Sequence, residues 1–187
     1  MKNMYDIKKK NEEIAQKFIK IETAITSFPD AKELFEKVLI QIEEEFDIPF
    51  VWISMINRPY LPDAIHALTT SKILKDRLNI IDEGTFLGLI ANDTKPVLAN
   101  DNLNPFYKLF PKKKKYFIKS LAVAPITLHK EIIGSLNHGD FSPFRYQPDM
   151  DTSLLQRLAT NISSRLSEII PCEKMAETAM DEMEKAD

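Results

Sequence analysis

The chain has 187 residues, of which 44% are apolar and 28% charged, with a formal net charge of −3. One domain with helical extensions accounts for this length, because a body of about 150 residues already buries roughly 70% of its unfolded surface. The acidic balance argues against a general nucleic-acid binder, and the single cysteine, Cys172, excludes an intramolecular disulfide, a cysteine-built metal cage and a two-cysteine redox cycle within one chain.

The first residues, MKNMYDIKKKNEE, lack the apolar centre of a signal peptide, and no run approaches the roughly 20 apolar residues that span a bilayer. A cytoplasmic location without membrane contact is expected. Residues 5–28 predict one helix. Ile7, Asn11, Ile14, Phe18, Ile21, Ile25 and Phe28 alternate steps of four and three, a heptad seam with Asn11 at an a position, where asparagine fixes register and a two-stranded state. The spacing predicts a coiled-coil homodimer through residues 1–29. An amphipathic helix packed on its own domain produces the same pattern.

Phe28-Pro29-Asp30 breaks this helix, and Asp30 is placed to cap the next, which runs from Ala31 to Phe46 with Leu34, Phe35, Val38, Leu39, Ile42 and Phe46 on one face. Phe50 to Ile56 reads as a strand covered on both faces. After a turn over 57–62, Ala64 to Thr69 reads as a weaker strand and Ser71 to Leu78 as a short helix. A further short helix is expected over about Phe86 to Asn92, a strand over 97–101, and a helical turn within Leu103 to Phe110. Lys108, the run Lys112 to Lys115, and Lys119 form a charge cluster, read as a solvated loop before a buried strand; an anionic ligand, a partner or a nucleic-acid backbone is the other use of such a cluster.

Ser120 to Ser142 carries two apolar runs on either side of His129-Lys130, the pattern of a β-hairpin at the centre of a sheet. With a two-residue loop, Leu128 faces Glu131, Ile126 faces Ile133, Ala124 faces Ser135 and Ala122 faces Asn137. A longer turn would shift this pairing. The small and polar members of that face predict a pocket floor, whereas the face of Leu121, Val123, Leu136 and His138 suits a helix layer. An apolar stripe from Leu154 to Ile169 then predicts a long helix, ended by Pro171, and residues 171–187 a weakly held helical tail. Helices at both ends of a hairpin-centred sheet make the chain α+β, or a three-layer sandwich.

The ordered set SLAVAPI and EIIGSL, the closing apolar-striped helix, and upstream IDEG (81–84) and KPVLAND (95–101), resembles GAF domains over about residues 31–170. YQPDM (146–150) leading into LLQRL (154–158) resembles more narrowly a GAF-like bacterial branch without an assigned function, which also carries an N-terminal helical extension. The resemblance implies a GAF-like central antiparallel sheet, terminal helices on one face that often dimerise, and a small-molecule pocket under loops and short helices on the other, with the domain over residues 30–170. Bilin-binding members need a pocket cysteine and methionine-sulfoxide-reducing members several; Cys172 on the terminal helix serves neither. The cyclic-nucleotide pattern (Asn-Lys, Phe, Asp-Glu) is damaged here to Asn137-His138, Phe144 and Asp149-Met150.

Of the three histidines, His66 and His138 meet only if their strands are neighbours, and His129 is expected at an exposed turn; no haem or metal is expected. No G-x-S-x-G and no phosphate-cradling glycine loop is present. No catalytic residue is therefore assigned. Small-ligand sites combine aromatics with a few polar groups, which makes Trp52, Phe86, Asn100, Asp101, Tyr107, Phe117, Ala124 and Asn137 the candidate ligand-binding residues. The expected function is a sensory or regulatory domain that binds an unidentified small molecule, dimerises through terminal helices and signals to a protein partner. The alternative is a ligand-free dimerisation or adaptor module.

Overall fold

The computed structural model describes residues 4–111 and 117–171. The expectations for Lys112 to Lys115, for Cys172 and for the tail over 172–187 lie outside the described residues. The elements run α1 (Met4–Ile25), α2 (Ala31–Phe46), β1 (Phe50–Ile56), α3 (Pro62–Thr69), β2 (Leu78–Ile81), α4 (Glu83–Leu89), β3 (Val97–Ala99), a 3-10 turn (Asn104–Lys108), β4 (Ser120–Leu128), β5 (Glu131–Asp140) and α5 (Ser153–Ile169). The strands form one five-stranded sheet in the order β2-β1-β5-β4-β3. All neighbours are antiparallel except β1 and β2. The chain is thus α+β, as its hairpin and terminal helices predict. No helix among the described residues is long and apolar enough to cross a membrane.

One sheet face packs against α1, α2, α3 and α5. Val51, Ile53, Met55, Ala122, Ala124, Ile126 and Leu136 meet Phe18, Ile21, Leu34, Phe35, Leu158 and Ile162 there. The other face is covered by α4 and the 103–110 segment, through Phe86, Ile90, Leu103, Leu109 and Phe110 against Trp52, Leu121 and Val123. Buried on both sides, β1 has no exposed residue, which is why its sequence is apolar without alternation. Asp30 caps α2 as its position predicts, its carboxylate accepting from Glu33 N at 2.8 Å.

The α1 seam divides. Phe18, Ile21, Ile25 and Phe28 are buried in the chain's own core, so this half behaves as an amphipathic helix packed on its domain. Ile7 is 51% exposed. Arg165 of α5 fixes the α1–α2 junction, its Nε and Nη2 donating to Phe28 O at 3.1 and 2.7 Å.

Two local expectations are corrected. Residues 64–69 belong to helix α3, not to a strand: a proline at 62 followed by Asp63 is a helix-start signal, and the segment lacks the alternation of a half-buried strand. Residues 72–77 form turns rather than a helix, and the strand in this region is β2, parallel to β1 with Ile56 opposite Ile81.

The hairpin turn is the expected one. His129 and Lys130 have φ of 48° and 73°, both left-handed as a two-residue loop requires, although His129 is half-buried rather than exposed. The pairing departs from expectation after two steps. Leu128 faces Glu131 and Thr127 faces Ile132, but Ile126 then faces Gly134, a β-bulge that leaves Ile133 as the extra residue. Beyond the bulge Ala124 faces Leu136, Val123 faces Asn137 and Ala122 faces His138. A shift of one residue moves a side chain to the other face. The alanines therefore share the helix-covered face with Leu136 and His138, and Asn137 lies on the opposite one.

Past Val123 the outer edge of β4 has no strand partner among the described residues, since β3 pairs with residues 121–123. Pro125 has no N–H to leave open there. The Ser163 and Ser167 hydroxyls of α5 accept from Thr127 N at 2.9 Å and His129 N at 3.1 Å. The groove of about 470 Å³ along this edge includes these two serines in its lining.

Candidate functional site

Two places bring polar groups together inside apolar surroundings. The first is the middle of the sheet on the loop-covered face. Trp52 Nε1 and Ser54 Oγ both donate to Leu109 O, at 2.7 and 3.3 Å. Asn137 Nδ2 donates to Ser54 Oγ at 3.1 Å, and Ser135 Oγ donates to Asn137 Oδ1 at 2.8 Å. All four side chains are buried. β1 and β5 place them by register, since Trp52 faces Asn137 and Ser54 faces Ser135. The cover is the 103–110 segment. Phe110 stands edge-on to the Trp52 ring, centroids 5.8 Å apart, and Asn79 Nδ2 donates to Lys108 O at 2.7 Å.

Of the sequence-predicted residues, Trp52, Phe86 and Asn137 meet at this face. Tyr107 is half-exposed at its rim, 5.6 Å from the Phe110 ring. Asn100 does other work, donating from Nδ2 to Pro143 O at 2.9 Å. Asp101 is exposed and accepts from Asn102 N at 2.9 Å. Phe117 is exposed, and Ala124 is buried on the far side of the sheet, so neither joins the other candidates. The bulge is what separates Ala124 from Asn137.

The second place is a cavity of about 240 Å³ at the end of the helix-covered face. Its apolar wall comes from Ile14 and Phe18 of α1, Phe46 at the end of α2, Leu98 of β3, and Leu154 and Leu155 at the start of α5. Its polar lining is His138 of β5 with Arg145, Tyr146, Asp151 and Thr152 of the following segment. His138 is 4% exposed, its ring centroid 6.1 Å from that of Tyr146. His138 Nε2, buried, has no hydrogen-bond partner, whereas the buried Tyr146 Oη has the Arg145 guanidinium beside it. Burial, helped by the Arg145 charge, lowers the His138 imidazole to about 3, so it is neutral at pH 7. Burial also raises the Tyr146 phenol, and the nearby Arg145 guanidinium opposes this only in part. Arg145 is itself answered by Asp140 at 3.1 Å and by the carbonyls of Phe46 and Asp47.

The sequence marks His138 as a departure from a motif and as a member of the hairpin face that suits a helix layer, and Tyr146 as part of a resemblance. Two bulky polar rings falling among apolar positions are the available signal, but nothing local places them side by side. His66 is exposed on α3, and His129 Nε2 lies 2.6 Å from Ile170 O, so the histidines do not converge. Among the described residues no group of three or more His, Cys, Asp or Glu is arranged to hold a metal ion.

An antiparallel core sheet between terminal helices and a cover of loops and short helices defines the class. The model of the GAF domain family matches residues 30–166, and the chain belongs to that family. A search of curated proteins finds no match. Among solved structures, the chain is similar to a free methionine-R-sulfoxide reductase from Neisseria meningitidis, solved in complex with its substrate. The two share 15% identity and a TM-score of 0.53, over 88% of this chain and 89% of that one. At this identity the likeness concerns the fold.

Proposed function

We propose that the chain is a sensory or regulatory domain that binds a small molecule on the loop-covered sheet face, pairs with a second copy through α1 and signals to a protein partner. GAF membership supports a small-molecule-binding regulatory domain. The observation that carries the site is the buried Trp52–Ser54–Ser135–Asn137 cluster, which meets its cover at one acceptor, Leu109 O. A polar floor under an apolar cover suits a ligand that displaces Leu109 and Phe110 and takes over their contacts. The reading is binding rather than a two-thiol reductive cycle, which needs a second cysteine that this chain lacks.

The alternative, a ligand-free dimerisation or adaptor module, is favoured by the same cover, since Leu109 and Phe110 fill the face with ordinary aromatic packing. Native mass spectrometry of the protein purified from its source, with thermal-shift screening of a metabolite library, separates the two. The sensor role expects a bound small molecule or a raised melting temperature, lost in Asn137→Leu. A protein that carries no adduct and responds to no metabolite is the adaptor.

A further inference from the structure

The groove beside His138 and Tyr146 lies at the base of a helix end that the domain leaves uncovered. Every residue of α1 from Met4 to Glu13 is exposed. The neighbouring helices stop short of this stretch. Phe46, at the end of α2, lies against Phe18 with ring centroids 4.8 Å apart, and Leu154 and Leu155, at the start of α5, line the groove together with Ile14. The helix end thus projects for about 15 Å, although helices owe most of their stability in proteins to a packed apolar face. The projecting half has such a face. Met4, Ile7 and Asn11 continue the seam of Ile14, Phe18, Ile21 and Ile25, the last three of which are buried in the chain's own core.

We propose that the groove receives the Met4–Ile7 end of α1 from a second copy, in a two-fold arrangement in which the two projecting halves lie antiparallel and each copy fills the groove of the other. This arrangement rests on the pairing through α1 put forward above, and adds its direction and its receptor. Packing sets the direction. On the seam face, a parallel second α1 would run past Ile14 into the space held by α2, α5 and the sheet. An antiparallel one carries its own body away beyond Met4 and brings its Met4 end to the groove. The contact is then the same patch on both copies, so it closes at two. Size suits it. The wall of Ile14, Phe46, Leu98, Met150, Leu154 and Leu155 borders about 240 Å³, and about 150 Å³ of apolar space already holds a benzene, so side chains of the size of methionine and isoleucine fit. Charge matches as well. Asp151 lines the groove and Asp149 adjoins it, both exposed. Neither meets a cation among the described residues. Lys8, Lys9 and Lys10 follow Ile7 and are exposed, and of the three only Lys8 is near a carboxylate, Glu12 at 3.9 Å. Antiparallel helices bring these lysines toward the two aspartates of the second copy, whereas parallel helices would set the two lysine runs level with each other.

Cross-linking of the full chain with a short bis-maleimide, in a Cys172→Ser background, tests the arrangement. Met4, Asp149 and Met150 are exposed, so substitutions there leave the fold intact. Copies carrying Met4→Cys, mixed with copies carrying Met150→Cys, are expected to give a covalent dimer of one copy of each kind. Met4→Cys alone is expected to give none, because Met4 level with Ile14 of the second copy keeps the two Met4 positions about 15 Å apart along the helices. Asp149→Lys is expected to weaken self-association about fivefold at low salt in analytical ultracentrifugation. A monomer in light scattering fails the α1 pairing and this arrangement together. A dimer that cross-links through Met4→Cys alone keeps the pairing, makes it parallel and overturns the groove as its receptor. A dimer with no mixed cross-link, or with unchanged association in Asp149→Lys, overturns it while leaving the pairing in place.

Discussion

At position 138 a histidine stands where the neighbouring layer is hydrocarbon. The fold keeps it neutral, with its titration lowered to about 3 by burial and, secondarily, by Arg145. Proton linkage sets the sign of the effect on stability. Below about pH 6.5 the unfolded chain takes up a proton at this side chain and the folded one does not, so stability falls as pH drops from about 6.5 toward 3. Urea unfolding at pH 7 and pH 5 should show a loss larger by about 1–2 kcal/mol in the wild type than in His138→Leu. Equal losses would mean that His138 titrates normally in the fold. In the sequence His138 is only one histidine on an apolar strand. Its neutrality depends on Tyr146 and Arg145, which the 141–152 segment brings against it, and no spacing rule records that approach.

At the scale of elements, the hairpin shows both what periodicity reveals and where it stops. The apolar runs, the two-residue turn and its first pair can be read from the residues. The bulge at Ile133 cannot, because an extra residue leaves no mark on composition and yet reverses the facing of every residue beyond it. Gly134, next to it, is the one local clue. A Cβ there would lie 2.1 Å from Ser54 O and 3.1 Å from Met55 Cα, both backbone atoms of the adjacent β1. Gly134→Ala is therefore expected to cost about 3 kcal/mol or more in denaturant unfolding. Gly88→Ala in α4, with nothing within 4 Å, is expected to gain about 0.5–1 kcal/mol. A mild effect at Gly134 would indicate that β1 and β5 can separate locally. The segment over 64–69, a helix where a strand is expected, carries a related lesson. A short apolar run is ambiguous by period, and the start signal of Pro62-Asp63 has more to say than the run itself.

At the scale of the molecule, the long N-terminal helix serves two surroundings. Its second half is core, with Ile21 and Ile25 fully buried, so Ile21→Asp would unfold the monomer whether or not a dimer exists. The first half keeps Ile7, Asn11 and Ile14 in the spacing of a coiled-coil seam, with Ile7 exposed and Ile14 half-buried. Ile7→Asp is the substitution that separates pairing from folding. If α1 pairs with a second copy, light scattering should show the mass halved while the circular dichroism stays unchanged. A mass that does not respond removes α1 as the dimer interface.

The sequence by itself determined most of the kinds of element, because helix stripes, the Asp30 cap and the apolar hairpin are local properties written at spacings of 3.6 and 2 residues. It also determined the family, through segments arrayed in order. Only the tertiary structure decided which residues share a face, that Leu109 and Phe110 cover the Trp52–Asn137 cluster, and that His138 and Tyr146 meet at a cavity on the other side. These depend on one bulge and on contacts between segments far apart in the chain, where burial and register are set by what arrives from elsewhere rather than by neighbouring residues.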